Sequence, residues 1–414
     1  MSQMGAIAYK KGKPLLSYKK TVNIPGLGMI DDLATVNKCG VESIMSNSIT
    51  NKFIESKRLQ LGENKSHRMH IGNKNNVHVC PKLKVHEKEM KDSKEEKYVG
   101  DIITDDGKIE KNIAARKGKG YAIAGDILAI LDEVPFGPHR IQAGICMRNG
   151  MLLSSMLTNS EVWYGMKENN YVELEVVDEY LLRKILNGHS KTPKEALYLE
   201  TGTLPIRYII KQRRLMYLHH LLTRDKEELI SKVYYAQKRK SSKNDWIESI
   251  KNDIAEIKLD MTEEDISSMK KEKFKNVLKN KIKAAAFSYL LKIQQSHSKV
   301  KDIVYKEHKI QPYLVDPKMS TKEKQLLFQL RTRMTHVKLN FKSMYEDLSC
   351  NLCPDNLPQS DSHLLSCSTL ILKCSVLNND STSEYEDIFG NIEEQIQISR
   401  LYSAIFDTKN ELEL

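Results

Sequence analysis

Apolar side chains recur at helical spacing through most of the chain beyond residue 110. This periodicity predicts helices over the segments 113–131, 140–163, 172–186, 205–237 and 245–310. Pro135 and the pair Gly137-Pro138 are expected to end the first of these helices, because proline removes a backbone donor and clashes with the preceding turn. The pattern therefore predicts a mostly α-helical protein.

The first hundred residues instead alternate between short apolar runs and turn residues. The segment 29–36 places Asp31 and Asp32 between two apolar runs, which predicts a hairpin with both acids at its tip. Apolar residues at helical spacing predict one helix in this region, over residues 40–60.

Further strands are expected between this helix and residue 110. The segments 69–72 and 77–80 alternate as strands do, whereas the charged segment 84–97 is expected to form an exposed loop or a short helix. The segment 98–109 predicts a second hairpin, with Asp106-Gly107 at its turn. A small α+β region is therefore expected before the helices.

Charge is distributed unevenly along the 414 residues. The formal net charge is +11, but it is +16 over residues 201–345 and −10 over residues 346–414. A basic central stretch favours a polyanion such as nucleic acid as its partner. Lysine-rich helices with solvated faces would give the same composition, so charge alone leaves both interpretations open.

Composition also excludes several classes of protein. The chain has no run of 18 apolar residues, so no membrane-spanning helix is expected, and residues 1–13 lack the apolar core of a signal peptide. Seven cysteines are too few for a disulfide framework. A nuclear or cytoplasmic protein is expected rather than a secreted one.

Four residues near the C-terminus have the spacing of a metal site. Cys350, Cys353, His363 and Cys367 follow the pattern C-x2-C-x9-H-x3-C. Three thiolates and one imidazole form a closed tetrahedral set, which structural zinc prefers. Cys374 lies outside this pattern. The sequence therefore predicts one structural zinc site, and coincidence among buried cysteines is the alternative.

The adjacent acids Asp31 and Asp32 are the candidate catalytic residues. Two carboxylates at a hairpin tip can bind divalent ions that promote phosphoryl transfer. Aspartate is also a common turn residue, as the turn sequence Asp105-Asp106-Gly107 illustrates. Apolar residues frame Asp31 and Asp32 on both sides, which makes uncompensated acids there costly.

Several stretches resemble reverse transcriptases of LINE-type (non-LTR) retrotransposons. The run Ile24-Pro25-Gly26-Leu27-Gly28-Met29-Ile30-Asp31-Asp32-Leu33 resembles their aspartate-pair motif. Further resemblances follow in the same order as in those elements: the palm helix and lysine motif in 47–65, the primer-grip hairpin in 98–101, a thumb segment in 160–164, the region after the thumb in 198–214 and the zinc knuckle in 350–367.

The resemblance implies roles for individual residues. Asp31 and Asp32 would bind magnesium, and Lys65 would assist the departing pyrophosphate. Other residues would contact RNA, DNA or an RNA–DNA hybrid, namely Tyr98, Gly100, Arg207, Arg213, Arg214, Lys238, Arg239 and Lys240. The last three also resemble a short nuclear-targeting signal.

The resemblance also implies a division of the chain. The expected parts are a truncated reverse-transcriptase palm (1–110), a thumb-like helical region (111–240), a basic helical region (241–345), a CCHC zinc knuckle (346–375) and an acidic tail (376–414).

The chain departs from the family where the catalytic site should be completed. A third carboxylate, the template-clamping fingers and the endonuclease precede the aspartate pair in the family, whereas residues 1–30 contain no Asp or Glu. We therefore expect a truncated RNA-directed DNA polymerase that is inert alone, unless a complementing protein chain supplies the missing part.

Two other functions stay open at this point. The chain could be a non-enzymatic nucleic-acid-binding protein that uses the thumb, the basic helices and the zinc knuckle. It could also be a helical interaction protein whose acidic tail recruits a basic partner.

Overall fold

The structure is a computed structural model, and it is mostly helical, as the periodicity predicted. It describes residues 26–29, 32–37, 39–62, 64–71, 81–85, 88–133, 137–379 and 383–413. Within these ranges no helix is both long enough and apolar enough to cross a lipid bilayer.

The chain folds into two compact units, each built from segments that are separate in sequence. Unit 1 comprises the described residues within Met1–Gly118, Leu157–Leu174 and Arg207–Ile282. Unit 2 comprises the described residues within Lys119–Met156, Glu175–Ile206 and Lys283–Leu414. The five-part division given above stays a prediction.

The predicted N-terminal hairpin and helix are both present. Strand β1 (Gly26–Met29) pairs antiparallel with β2 (Asp32–Thr35), and Met29 lies opposite Asp32. Helix α1 (Gly40–Ser56) follows, but its apolar residues are exposed, including Val41 at 67% and Ile49 at 66%.

The segment 64–98 differs from the prediction. The strand expected at 69–72 lies earlier, at β3 (His67–Arg68), and the strand expected at 77–80 lies outside the described residues. The segment expected to be a loop or short helix instead contains strands β4 (Lys84–Val85), β5 (Lys88–Glu89), β6 (Lys91–Asp92) and β7 (Glu95–Tyr98). These strands are short and carry charged residues, so they give no apolar alternation to detect.

The second hairpin exists, but its turn is not where the sequence indicated. Strand β7 pairs with β8 (Asp101–Thr104) through Val99 and Gly100, whose φ values of 49° and 86° suit a tight hairpin turn. Asp106 and Gly107 lie after β8, where the Asp106 carboxylate accepts from the Lys108 backbone N–H at 3.0 Å. This Asp-Gly pair ends the strand rather than joining two strands.

Helices form the rest of both units. Their bounds are α2 (Glu110–Glu133), α3 (Arg140–Met147), α4 (Leu153–Met156), α5 (Glu168–Ile185), α6 (Lys194–Thr201), α7 (Ile206–Leu222), α8 (Leu229–Arg239), α9 (Trp246–Glu256), α10 (Glu263–Ser268), α11 (Lys271–Gln294), α12 (Pro312–Val315), α13 (Thr321–Arg331), α14 (Asp361–Ser366), α15 (Ser368–Lys373), α16 (Ser375–Asn379) and α17 (Ile392–Glu413). A π-helical segment, Arg148–Leu152, joins α3 to α4, and three short 3-10 segments cover Ser160–Val162, Lys338–Met344 and Tyr385–Phe389.

Two helix ends show why some predicted limits hold and one fails. Helix α2 ends at Glu133, just before Pro135, as predicted. The helix expected to run to residue 310 instead ends at Gln294. The Gln294 side-chain amide donates to the carbonyls of Val300 at 2.6 Å and Ile303 at 2.7 Å, which stabilises a turn there.

A buried carboxylate organises the centre of unit 2. Glu200 accepts hydrogen bonds from the hydroxyls of Tyr305 and Tyr313, at 2.7 and 2.9 Å, and from Arg331 at 3.0 Å. The next turn requires glycine at Gly202, because φ is +62° and an added Cβ would lie 2.2 Å from the Ile310 backbone nitrogen. The segment 198–202, quoted above for its family resemblance, thus has a structural role in unit 2.

Candidate metal centre

A tight loop brings the first two candidate ligands together. Ser349 and Pro358 form an isolated antiparallel bridge, and the Cys350 N–H donates to the Leu357 carbonyl at 2.8 Å. This bridge closes the loop that contains Cys353. Both cysteines are buried.

Helix α14 supplies the other two candidate ligands. The Ser360 hydroxyl caps the helix by accepting from the His363 N–H at 3.0 Å, which fixes where the helix begins. His363 lies in its first turn, and Cys367 follows its last residue. The spacing of four residues brings both side chains to the same side, as predicted.

The four side chains form one buried cluster that could hold a metal ion. The ligand atoms of Cys350, Cys353, His363 and Cys367 all lie within 4.8 Å of one another. The Cys353 Sγ lies 3.4 Å from the His363 Nε2. Tetrahedral coordination with bonds of about 2.0–2.3 Å requires ligand atoms about 3.3–3.8 Å apart, so only small adjustments separate this arrangement from a bound geometry.

Burial favours the neutral form of two of these thiols, those of Cys353 and Cys367. It raises the pKa of the Cys353 thiol to about 12 and also raises the pKa of Cys367. A bound metal ion stabilises thiolate, so metal binding has to displace protons from the cluster. The donor set and the burial together fit a metal ion held for structure.

Hydrogen bonds connect the cluster to the rest of unit 2. The Ser368 hydroxyl donates to Asp355 at 3.0 Å, and the Thr369 hydroxyl donates to the Leu352 carbonyl at 2.7 Å. The Tyr402 hydroxyl in α17 donates to the Asp361 carbonyl at 2.8 Å. Helix α17, which belongs to the predicted acidic tail, therefore contacts the helix that carries His363.

The candidate catalytic residues are only partly described. Asp31 lies outside the described residues, and Asp32 is described only as the first residue of β2. Lys65 is exposed and lies in a turn, where its backbone N–H donates to the Gly62 carbonyl at 2.9 Å. Their catalytic roles stay predictions.

The predicted primer-grip hairpin is fixed by a polar network around Asp101. The Asp101 carboxylate accepts from Arg116 at 2.8 Å and from the side-chain amides of Asn112 and Asn159, each at 3.0 Å. Arg116 also donates to the Gly100 carbonyl at 2.8 Å. Tyr98 lies opposite Asp101 in the hairpin. Asp101 was not among the candidate site residues, although it belongs to the quoted motif.

Three of the four arginines predicted to contact nucleic acid make intramolecular bonds. Arg214 is 1% exposed and pairs with Asp253 at 2.7 and 3.0 Å, and Arg207 pairs with Glu168 at 2.7 Å. Arg213 donates to the Leu157 carbonyl. Nothing in a local sequence window marks Asp253 as the partner of Arg214. A phosphate contact would require these pairs to open, so the prediction for them stays unsupported.

The basic residues at the end of α8 are exposed. Lys238, Arg239 and Lys240 all lie on the surface, and Lys238 makes a salt bridge to Glu263 at 2.7 Å.

A scan against protein-family models and searches of curated proteins and of solved structures each return no match to this chain.

Proposed function

We propose that this chain is the C-terminal part of a LINE-type reverse transcriptase and that it binds nucleic acid around a structural zinc site. By descent it is an RNA-directed DNA polymerase. The observation that carries the proposal is the buried Cys350, Cys353, His363 and Cys367 cluster, because it occupies the place in the motif order where those elements have a zinc knuckle.

Zinc is the metal that this donor set favours. Three thiolates and an imidazole are soft or borderline ligands, which suit zinc better than magnesium or calcium. Four protein ligands leave no open position for a substrate, so the role is structural. Residues 348–367 would then depend on the metal for their fold.

The fixed hairpin around Gly100 gives the proposal secondary support. A primer grip needs a rigid backbone turn that can approach a nucleic-acid strand. The positive φ of Val99 and Gly100 and the Arg116 bond to the Gly100 carbonyl supply that rigidity.

The first test measures zinc and nucleic-acid binding on the same preparation. We expect about one zinc per chain and binding to an RNA–DNA hybrid that weakens steeply as salt rises, because lysine and arginine displace counterions. A preparation that folds without metal, or whose affinity does not change with salt, would contradict the proposal.

We do not expect this chain alone to extend a primer. Two-metal transfer needs carboxylates that fix both ions, and Asp31 and Asp32 come from one short segment. Primer extension on an RNA template should give no product with magnesium or manganese. Extension that disappears in Asp31→Ala/Asp32→Ala would show that another chain or another acid completes the site.

The third possibility, recruitment of a basic partner by a free acidic tail, is disfavoured by contacts within unit 2. Glu393 pairs with Lys318 at 2.8 Å, and Asp407 pairs with Lys322 at 2.9 Å. The apolar side of α17 is buried, with Ile398 and Tyr402 both inaccessible.

A further inference from the structure

The first half of helix α11 presents a row of lysines. Lys271, Lys275 and Lys279 are exposed and spaced four residues apart, so they lie along one side of the helix. The neighbouring side of the helix, with Phe274, Leu278 and Ile282, is fully buried. This burial fixes the rotation of the helix and leaves the lysine side facing solvent. With a rise of 1.5 Å per residue, the lysine row extends for about 12 Å.

Among the described residues, Glu272 is the only acid within salt-bridge distance of this row. No Asp or Glu occurs between Glu272 and Asp302. Lys275 lies 3.6 Å from Glu272, and no carboxylate of the described residues lies within salt-bridge distance of Lys271 or Lys279. Like charges at this spacing repel one another, and lysine in the first turn opposes the helix dipole. Helix stability therefore does not explain the arrangement.

A second helix of unit 1 packs against the start of the row. His219 of α7 stacks on Phe274 at 4.9 Å, and its Nε2 lies 2.9 Å from the Met269 carbonyl. These contacts bring the end of α7 against the beginning of α11. Burial together with the positive charges of Arg224 and Lys271 lowers the pKa of the neighbouring His220.

The lysine row and the arginines of α7 have opposite environments. The guanidinium groups of Arg207 and Arg214 already bind carboxylates, whereas Lys271 and Lys279 have their ammonium groups in solvent. Exposed lysine side chains commonly contact the phosphates of a nucleic-acid backbone. A row of about 12 Å matches the axial length of three to four nucleotides of one strand.

We propose that Lys271, Lys275 and Lys279 form a docking surface for the phosphate backbone of a nucleic-acid duplex. This inference rests on the proposed nucleic-acid function and assigns the binding to one face of unit 1. The contacts are to phosphates, so the surface reads no base sequence.

The test uses the full metal-loaded chain and a fluorescent RNA–DNA hybrid of 20 base pairs. Anisotropy titrations at several salt concentrations compare the wild type with K271Q/K275Q/K279Q. The matched control is K301Q/K306Q/K309Q, which removes the same charge from exposed lysines of the same basic stretch. The variant K271R/K275R/K279R keeps the charge.

We expect the lysine-row variant to lose about tenfold or more in affinity near 100 mM salt. The slope of log affinity against log salt should become less negative by about 2 to 3, because each phosphate contact contributes about −0.9. The control and the arginine variant should bind within about twofold of the wild type. Thermal unfolding followed by circular dichroism should be unchanged in all three.

Each contrary outcome has its own meaning. Equal losses in the lysine-row variant and the control would overturn the docking surface but leave the nucleic-acid function standing. A wild-type chain that does not bind the hybrid would overturn both. If poly-glutamate at equal charge displaces the hybrid as well as an unlabelled duplex does, the surface binds acidic protein instead, and the proposal is wrong.

Discussion

The candidate metal centre of unit 2 and the ion cluster of unit 1 are both buried and polar, but only the ion cluster contains its own positive charge. In unit 1, Asp253 is 2% exposed and bonds to Arg214 at 2.7 and 3.0 Å, with Lys211 at 3.5 Å. The counter-charge is part of the chain. In unit 2, Cys350, Cys353 and Cys367 crowd around one imidazole, and none of these four side chains carries a permanent positive charge.

This difference determines what each region depends on. An arginine stays protonated under all ordinary conditions, so the Asp253 cluster is complete as soon as the chain folds. The thiol cluster becomes complete only when a cation displaces its protons. We therefore expect unit 1 to be indifferent to metal supply and the C-terminal part of unit 2 to depend on it.

The largest expected effect is the loss of metal. Cys350→Ser/Cys353→Ser should abolish zinc binding, which contributes on the order of 10 kcal/mol in structural sites of this kind. Hydrogen exchange should then show lost protection over residues 348–374, while protection near Trp246 persists. Cys374→Ser, outside the cluster, should retain the metal. Equal loss of protection in both units would contradict the comparison.

The next effect is the loss of the internal cation. Arg214→Ala leaves the buried Asp253 with the more distant Lys211, at 3.5 Å, as its counter-charge and should destabilise unit 1 by about 3 kcal/mol. Both tryptophans, Trp163 and Trp246, belong to unit 1, so urea unfolding followed by tryptophan fluorescence reports on it alone. Exposed Arg239→Ala should change stability by less than about 0.5 kcal/mol. A small effect of Arg214→Ala would show that Lys211 alone compensates the Asp253 charge or that Asp253 relaxes into solvent.

A third buried acid tests an intermediate case. Burial raises the pKa of Glu179 to about 7, and Arg183, at 3.5 Å, only partly offsets it. Because the folded-state pKa exceeds the usual 4.5, this carboxyl contributes stability at low pH that is lost as pH rises from about 4.5 to about 7.

Glu179→Gln should remove that pH dependence and stabilise unit 2 by up to about 3 kcal/mol at pH 8. Thermal unfolding followed by circular dichroism at pH 5 and pH 8 measures it, with Glu346→Gln, an exposed residue of the same unit, as the control. An unchanged pH profile would mean that Arg183 compensates the charge as fully as Arg214 compensates Asp253.

The smallest effect concerns an ion pair at the surface. Lys322 and Asp407 lie 2.9 Å apart, but both side chains are more than half exposed. Lys322→Ala should cost less than about 1 kcal/mol, because solvent screens such pairs. A loss comparable to that of Arg214→Ala would show that burial is not what separates the clusters.

The sequence predicted the cluster of Cys350, Cys353, His363 and Cys367 well because these residues lie within 18 residues of one another and adopt local structures. A tight loop and one helical turn suffice to bring Cys353 and His363 together. The Arg214 pair could not be predicted in the same way, because Asp253 is 39 residues away and reaches it through tertiary packing. A count of charges treats the arginines of α7 and the lysine row alike. The two groups differ in burial, which the sequence does not show.

Secondary structure shows the same limit. Helices α2 and α5 follow from their apolar periodicity, which packing reinforces. The short strands of 84–98 were missed because most of their residues are charged and most are exposed. The turn at Val99-Gly100 was missed because Asp106-Gly107 carries a stronger local signal, although valine with positive φ is unusual.

The interleaving of the two units has a consequence for biosynthesis. The last segment of unit 1 ends at Ile282, whereas unit 2 needs residues as far as α17. During translation, all segments of unit 1 are available for folding on the order of ten seconds before the last residues of unit 2 have been synthesised. Helix α5 contains both Leu174, which belongs to unit 1, and Leu181, which belongs to unit 2. Over that interval only the part of the helix that belongs to unit 1 can make its final contacts. A nascent chain stalled in this window would expose the apolar surface of unit 2 to chaperones, and excised fragments such as 201–345 would carry pieces of both units without completing either.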